Sequence, residues 1–201
     1  MLQSEPALKR ADIVLLQEMD TSGTKRIATA LGMGYVYYPA IFHLRAKREF
    51  GNAVLSRWPI VEDAKIQLPH GSRYAGTHRI ATAATLRIGK ANVRVYSTHL
   101  GTPADIGSSE RRDQLRAIIA DASKYGSVVI GGDMNSGSVG SVSVDAGFAW
   151  TTKAGPRTTK FGRWDHIYLK GFGLPAQGSA GTIRENRGSS DHVPIWMIGI
   201  L

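Results

Sequence analysis

Val128-Val129-Ile130-Gly131-Gly132-Asp133-Met134-Asn135 is the stretch on which the reading of the chain turns. Three consecutive β-branched residues suit a strand buried on both faces, and the two glycines let the backbone turn sharply where polar side chains begin. A carboxylate and an amide thus stand at the end of a buried strand. A second polar cluster, Ser189-Ser190-Asp191-His192, follows near the C-terminus. Carboxylate, amide and imidazole at strand ends suit hydrolysis of a phosphate ester at a hard cation, because Mg²⁺ takes oxygen ligands and keeps waters that can attack.

Outward from that stretch, apolar strands alternate with helical segments, with no repeat and no low-complexity linker. Residues 12–17 read as a buried strand ending at Glu18, and 24–31 as a short helix. Residues 35–38 and 53–56 read as strands, the second preceded by Gly51-Asn52 and stopped by Trp58-Pro59. Residues 81–88 and 93–98, separated by Gly89-Lys90-Ala91-Asn92, read as a hairpin. Ser108, Ser109 and Glu110 mark the start of a helix running to about Ser123, with Leu115, Ile118, Ile119 and Ala122 on its buried face. The Gly- and Ser-rich segment 136–143 reads as a loop, and 167–169 and 194–200 close the chain as strands. So many hairpins predict a sheet that is largely antiparallel or mixed.

Length and composition frame these elements. The chain has 201 residues, 42% hydrophobic and 20% charged, which suits one soluble domain able to bury a sizeable core. Its 25 Lys and Arg against 16 Asp and Glu give a formal charge of +9, which attracts polyanions such as nucleic acid or anionic lipid. The absence of cysteine removes disulfides, thiolate zinc sites and a cysteine nucleophile. No apolar run is long enough to span a membrane. Neither a Gly-x-x-x-x-Gly-Lys-Ser/Thr loop nor a Gly-x-Ser-x-Gly elbow occurs.

Glu18, His99, Asp133, Asn135, Asp165 and Asp191-His192 all fall at or just beyond the C-terminal end of a predicted strand, or in the loop after it. Polar groups from many strand ends can converge on one edge of a sandwich. Each also has a structural reading: a carboxylate after a strand caps or turns, and Asn52 hydrogen-bonds backbone. His99 reads either way. His166 reads as structural or surface, and His43, His70 and His78 as residues of polar loops.

In order along the chain, Leu16-Gln17-Glu18, Gly51-Asn52-Ala53-Val54-Leu55-Ser56-Arg57, Ser97-Thr98-His99-Leu100, Gly131-Gly132-Asp133-Met134-Asn135, Trp164-Asp165-His166-Ile167 and Ser189-Ser190-Asp191-His192 resemble the endonuclease/exonuclease/phosphatase superfamily. The resemblance runs from about residue 5 to the C-terminus and implies one catalytic domain over 1–201. It implies a four-layer α/β sandwich, two mixed and mostly antiparallel sheets face to face with helices outside. It assigns Glu18 and Asp191 to a divalent metal, Mg²⁺ with Mn²⁺ or Ca²⁺ as alternatives. His192 becomes a general base oriented by Asp165, Asp133 and Asn135 position water or phosphate, and His99 stabilises charge on the phosphoryl oxygens. Asn52 and Arg79 fall to substrate binding.

Family members begin with a strand ending in asparagine near the metal. Here the first asparagine is Asn52, so that strand is expected to be missing, either because the native chain is longer or because the site works without it. Sheet edges would then be exposed. Arg45, Lys47, Arg48, Arg73, Arg79, Arg157, Lys160 and Arg163 either grip a phosphate backbone or solvate the surface. Trp58, Trp150, Trp164 and Tyr74 either stack on bases or pack. Three functions follow: a Mg²⁺-dependent nuclease acting on DNA, a phosphatase or phosphodiesterase on phosphoinositide, sphingolipid or another small ester, and a catalytically weak nucleic-acid or lipid binding module.

Overall fold

Two sheets pack face to face in a computed structural model that describes residues 9–43, 47–183, 188 and 190–201. Arg45 and Ser189 lie outside the described residues. The smaller sheet holds β1 (Ile13–Met19), β2 (Gly34–His43) and β3 (Arg48–Ser56) in the order β1-β3-β2, antiparallel throughout. The larger holds β4 (Ile60–Gln67), β5 (Ile80–Ile88), β6 (Ala91–His99), β7 (Ser127–Asp133) and β8 (Asp165–Lys170) in that order, with β6 and β7 parallel and the other neighbours antiparallel. A short antiparallel pair, β9 (Ala180–Thr182) and β10 (Ile195–Met197), stands apart. The helices are α1 (Thr21–Leu31), α2 (Ser108–Ala122) and the single turn α3 (Ser141–Asp145).

Period-two alternation assigns each strand residue to a layer. Val54, Ala84, Leu86, Val93, Val95 and Val129 meet between the sheets. Ala81, Ala83, Tyr96, Val128 and Ile130 face the other way, onto Leu115, Ile118 and Ala122 of α2. On the far side Val14, Ala53 and Leu55 pack with Ala28 of α1. The order is therefore helix, sheet, sheet, helix. This is the expected sandwich, with the refinement that only the larger sheet is mixed.

Local chemistry sets the ends of the helices. Asp20 caps α1 by accepting from the Gly23 N–H at 2.6 Å, so the helix starts at Thr21, three residues ahead of the expected start. Gly32 stops it at φ 65°, a left-handed position suited to glycine. In α2 the Glu110 carboxylate accepts from the Gly107 N–H at 2.5 Å. Leu115, Ile118 and Ala122 are buried as expected, and Ile119 is partly buried.

Several expectations change. Gly131 and Gly132 lie inside β7 rather than in a turn after it. Their reason is close approach: a Cβ on Gly131 would stand 2.6 Å from Leu15 Cδ1, and one on Gly132, at φ 140°, 1.9 Å from the Thr98 carbonyl. Gly51-Asn52 is likewise inside β3, where a Cβ on Gly51 would meet the Tyr38 carbonyl at 2.1 Å. Segment 136–143 is a loop only to Gly140, since α3 begins at Ser141. His43 ends β2 instead of lying in a loop. Of 194–200 only Ile195–Met197 is a strand.

Candidate active site

Registry between strands builds the site. His99 ends β6, and its partner across the parallel pair is Asp133, the last residue of β7. Asp133 in turn pairs with Asp165 on β8. One row thus carries imidazole, carboxylate and carboxylate on three neighbouring strands. Because β8 runs antiparallel to β7, Asp165 starts its strand, which corrects the expectation that every site residue follows a strand's C-terminal end.

Glu18 reaches the same edge from the other sheet. The β1–β3 register shifts between Leu16 and Met19, and Glu18 takes φ 57° in this irregular stretch. Its carboxylate is 65% exposed, with Oε1 3.8 Å from His99 Nδ1. Gln17 joins the sheets by donating from Nε2 to Ser97 Oγ at 3.0 Å.

At the centre is a histidine held by a carboxylate. His192 Nδ1 lies 2.9 and 3.1 Å from the two oxygens of Asp165, and its Nε2 lies 3.9 Å from Asp133 Oδ2. His99 Nε2 approaches the same Asp133 oxygen at 3.3 Å. Asp133 Oδ1 accepts from the Asn135 N–H at 2.8 Å, while Asn135 Nδ2 donates to the Leu100 carbonyl at 2.9 Å. That leaves Asn135 its amide oxygen and a second N–H. Asn135 sits at φ 48°, in the left-handed region that asparagine tolerates, and the turn foreseen at the glycines occurs there.

The electrostatics follow from burial and crowding of like charge. Asp133 is buried, and that burial, together with the charge of Asp165, pushes its carboxyl up to about 7 against the pull of the Asn135 N–H, His192 and Arg79. Its hydrogen bond to Asp165 raises His192 to about 9, over the opposing effect of burial. Burial pushes His99 well below its ordinary value. His99 therefore faces Asp133 as a neutral ring, and their 3.3 Å contact is not an ion pair. Arg79, just before β5, adds positive charge felt by Asp133, Glu18 and Asp105.

Ligand atoms of Asp133, Asp165 and His192 all lie within 4.8 Å of one another, the group among the described residues that could hold a metal ion. Glu18 and Asp191 are not part of it. Asp191 is exposed beside His192 and helps raise that residue's pKa. The donors suit a divalent cation: they are mostly hard oxygens, no thiolate is present, and the buried Asp133 and half-buried Asp165 carboxylates crowd together at a cost a cation would relieve.

The remaining sequence candidates separate cleanly. Asn52 is buried between the sheets and donates to the Ile80 carbonyl at 3.0 Å, the backbone role expected of it. His166 is structural: its Nδ1 accepts from Trp150 Nε1 at 3.0 Å and its Nε2 donates to the Arg163 carbonyl at 3.0 Å. Trp150 is buried with it, edge-on to Tyr168. Arg48 and Arg73 pair with Asp20 and Glu110. His70 pairs with Asp113 at 3.1 Å.

Two residues that sequence reasoning passed over hold the site in shape. Thr158 Oγ1 accepts from the N–H groups of Trp164 at 3.1 Å and Asp165 at 3.2 Å, and the Thr158 carbonyl accepts from Val193 N–H at 2.8 Å. It therefore fixes the backbone of both members of the Asp165–His192 pair. Asp105 accepts from Ser72 Oγ at 2.7 Å and Thr102 Oγ1 at 2.9 Å and stands 3.9 Å from the Arg79 guanidinium. Neither threonine nor aspartate in a loop carries a periodic signal that marks such a duty.

With the geometry in place, comparison with known proteins is decisive. A model of the endonuclease/exonuclease/phosphatase family matches residues 2–192. The chain belongs to that family. Among solved structures, a family protein from Leptotrichia buccalis C-1013-b is 15% identical, with a TM-score of 0.72 over 97% of this chain and 89% of that one. D. rerio TDP2, humanized by 14 mutations, is 18% identical, with a TM-score of 0.69 over 98% and 88%. The catalytic domain of human Nocturnin, with a bound sulfate anion, is 18% identical, with a TM-score of 0.64 over 94% and 74%. At such identities these likenesses are of fold. No curated protein matches the chain. Family membership supports phosphodiester hydrolysis in general and a dependence on divalent metal. Among the described residues no helix is long and apolar enough to cross a membrane.

Proposed function

We propose that this member of the endonuclease/exonuclease/phosphatase family is a single-domain phosphodiester hydrolase over 1–201 that cuts nucleic acid, DNA in the first instance. The observation that carries the proposal is the Asp165–His192 pair, whose Nε2 lies 3.9 Å from Asp133 Oδ2 in a cluster of metal-competent donors. The +9 charge suits a polyanionic substrate. D. rerio TDP2 is also known in complex with a single strand DNA product, which favours the nucleic-acid reading.

In this reading Glu18 and Asp191 are metal ligands, with Asp133 and Asp165 as the carboxylates nearest to them in function. The cation, Mg²⁺ with Mn²⁺ or Ca²⁺ as substitutes, supplies Lewis acidity to the phosphate and a water of lowered pKa. His192 takes the proton from the attacking water through Nε2, while Asp165 holds Nδ1 and fixes the tautomer. Since the Asp165 bond keeps His192 protonated up to about 9, positive charge among the neighbouring carboxylates is what brings its base form toward neutral pH. His99, neutral, donates a hydrogen bond to a phosphoryl oxygen, and Arg79 adds charge there. Asp133 and Asn135 orient water and phosphate, and Asn52 supports the site from behind through its bond to the Ile80 carbonyl.

Plasmid nicking with Mg²⁺ and with EDTA, beside an Asp133→Ala control, tests this. Metal-dependent nicking that Asp133→Ala abolishes is expected, and a His192→Gln variant loses the acid limb of the pH–rate profile. Metal-dependent release of a headgroup from a phospholipid panel, with no nucleic acid cut, overturns the nuclease reading in favour of a small-ester hydrolase.

A further inference from the structure

The turn that precedes β8 has no part in the hydrolytic chemistry. The N–H groups of Thr158 and Thr159 each donate to the Gly162 carbonyl at 3.0 Å, and Thr159 Oγ1 accepts from the N–H groups of Phe161 and Gly162, both at 3.0 Å. Four hydrogen bonds thus fix a turn that carries Phe161 out of the core, leaving it 66% exposed. Its ring lies against a second aromatic side chain. It stacks on Trp164, with centroids 5.3 Å apart and planes 15° from parallel.

Cations surround this aromatic pair. The Lys160 ammonium lies 4.9 Å from the Phe161 ring centroid. Arg157 and Arg163 line a hollow of about 470 Å³ together with Pro156, Phe161 and Trp164. Among the described residues no carboxylate forms an ion pair with Arg157, Lys160 or Arg163, in contrast to Arg48 and Arg73. The platform is also wired to the site: Trp164 directly precedes Asp165, and Thr158 accepts from both of their amides.

We infer that this surface is a stacking platform for an unpaired base of a single-stranded nucleic acid, with Arg157, Lys160 and Arg163 on its phosphates. Single-stranded or frayed strands are then the preferred substrates of the neighbouring site. The inference rests on the nucleic-acid reading above. Flat π-faces beside cations match a strand whose bases and phosphates alternate, and a duplex keeps those base faces covered. The shape disfavours a bilayer, since an interfacial anchor projects its apolar residues, whereas here the ring face borders a hollow.

Binding is measured by fluorescence anisotropy in EDTA, with a labelled single-stranded oligonucleotide and the blunt duplex of the same sequence. The single strand should bind more tightly, and Phe161→Ala should weaken its binding roughly 5- to 150-fold while the duplex changes little. Phe161→Tyr, which keeps the ring, should restore binding, and Arg157→Ala should lower the slope of log K against log salt by about 0.7. Unchanged binding by Phe161→Ala, or equal loss on both forms, overturns the inference. So does Phe161-dependent binding of phosphatidylserine vesicles with oligonucleotide binding indifferent to the ring. Ring-dependent binding without metal-dependent cleavage leaves the platform standing and removes the nuclease reading; cleavage with ring-independent binding does the reverse.

Discussion

Replacing Thr158 by valine exchanges one hydroxyl for a methyl group of nearly the same size at a position only 2% exposed. The backbone bond from Val193 to the Thr158 carbonyl is untouched. What disappears is the acceptor of the Trp164 and Asp165 amides, at 3.1 and 3.2 Å. A buried donor left without a partner costs about 1–3 kcal/mol, and because both bonds are long and share one oxygen the expected loss is about 2–4 kcal/mol in all. For a domain of this length that lowers Tm by roughly 4–16 °C. Asp165 orients His192, so Thr158→Val should also reduce kcat more than KM, with the acid limb of the pH profile displaced. Calorimetric unfolding alongside steady-state cleavage reads both, and Thr158→Ser, which keeps the oxygen, should recover most of each. If Thr158→Val unfolds within about 0.5 kcal/mol of the parent chain, or if serine is as harmful as valine, the hydroxyl is not what holds the pair.

Stability in EDTA should depend on pH through Asp133. Its carboxyl is raised from 3.8 to about 7, so the folded state holds a proton that the unfolded state has released, and the stabilisation present below about 4 is lost as pH rises through 7. Asp133→Asn removes that loss and should overtake the parent in thermal stability as pH climbs from about 4 to about 7, by up to about 4 kcal/mol, with no further divergence above 7; a parallel pair of Tm–pH curves contradicts this. Asp105→Asn weakens the hold on Arg79 and should raise KM by roughly tenfold, worth about 1.4 kcal/mol, with kcat little changed. Gly132→Ala sets a Cβ 1.9 Å from the Thr98 carbonyl at φ 140°, and should cost more than about 3 kcal/mol, visible as a lowered denaturant midpoint or as loss of soluble protein.

Much of this architecture was legible because burial leaves periodic traces. The β5–β6 hairpin, the buried face of α2 and the strand over Val128-Val129-Ile130 appear where apolar spacing and turn residues put them. Strand β4 escaped notice for a physical reason: it is an edge strand, and its register shift between Ile60 and Glu62 switches its apolar residues from the inner face at Ile60 to the outer face at Ala64 and Ile66. The glycines of β7 were misread because a sequence does not say whether a missing Cβ serves a turn or a close neighbour. In the site, His99, Asp133, Asn135, Asp165 and His192 were each named, and the structure brings them together. Thr158 and Asp105 were not, because a hydroxyl that accepts two backbone amides and a carboxylate that braces an arginine both depend on loops meeting in space.

The row His99, Asp133, Asp165 is drawn by hydrogen bonds between strands, and the loops that follow take no part in setting it. Loops can lengthen or shorten while these three residues keep their spacing, since moving one off the row requires a slip in strand pairing that would turn a whole core face outward. Reactivity and selectivity are thereby carried by separable parts of one chain. A new substrate can be acquired by rewriting the tip of the turn at Lys160 and Phe161, provided the Thr158 hydroxyl that holds Asp165 is kept.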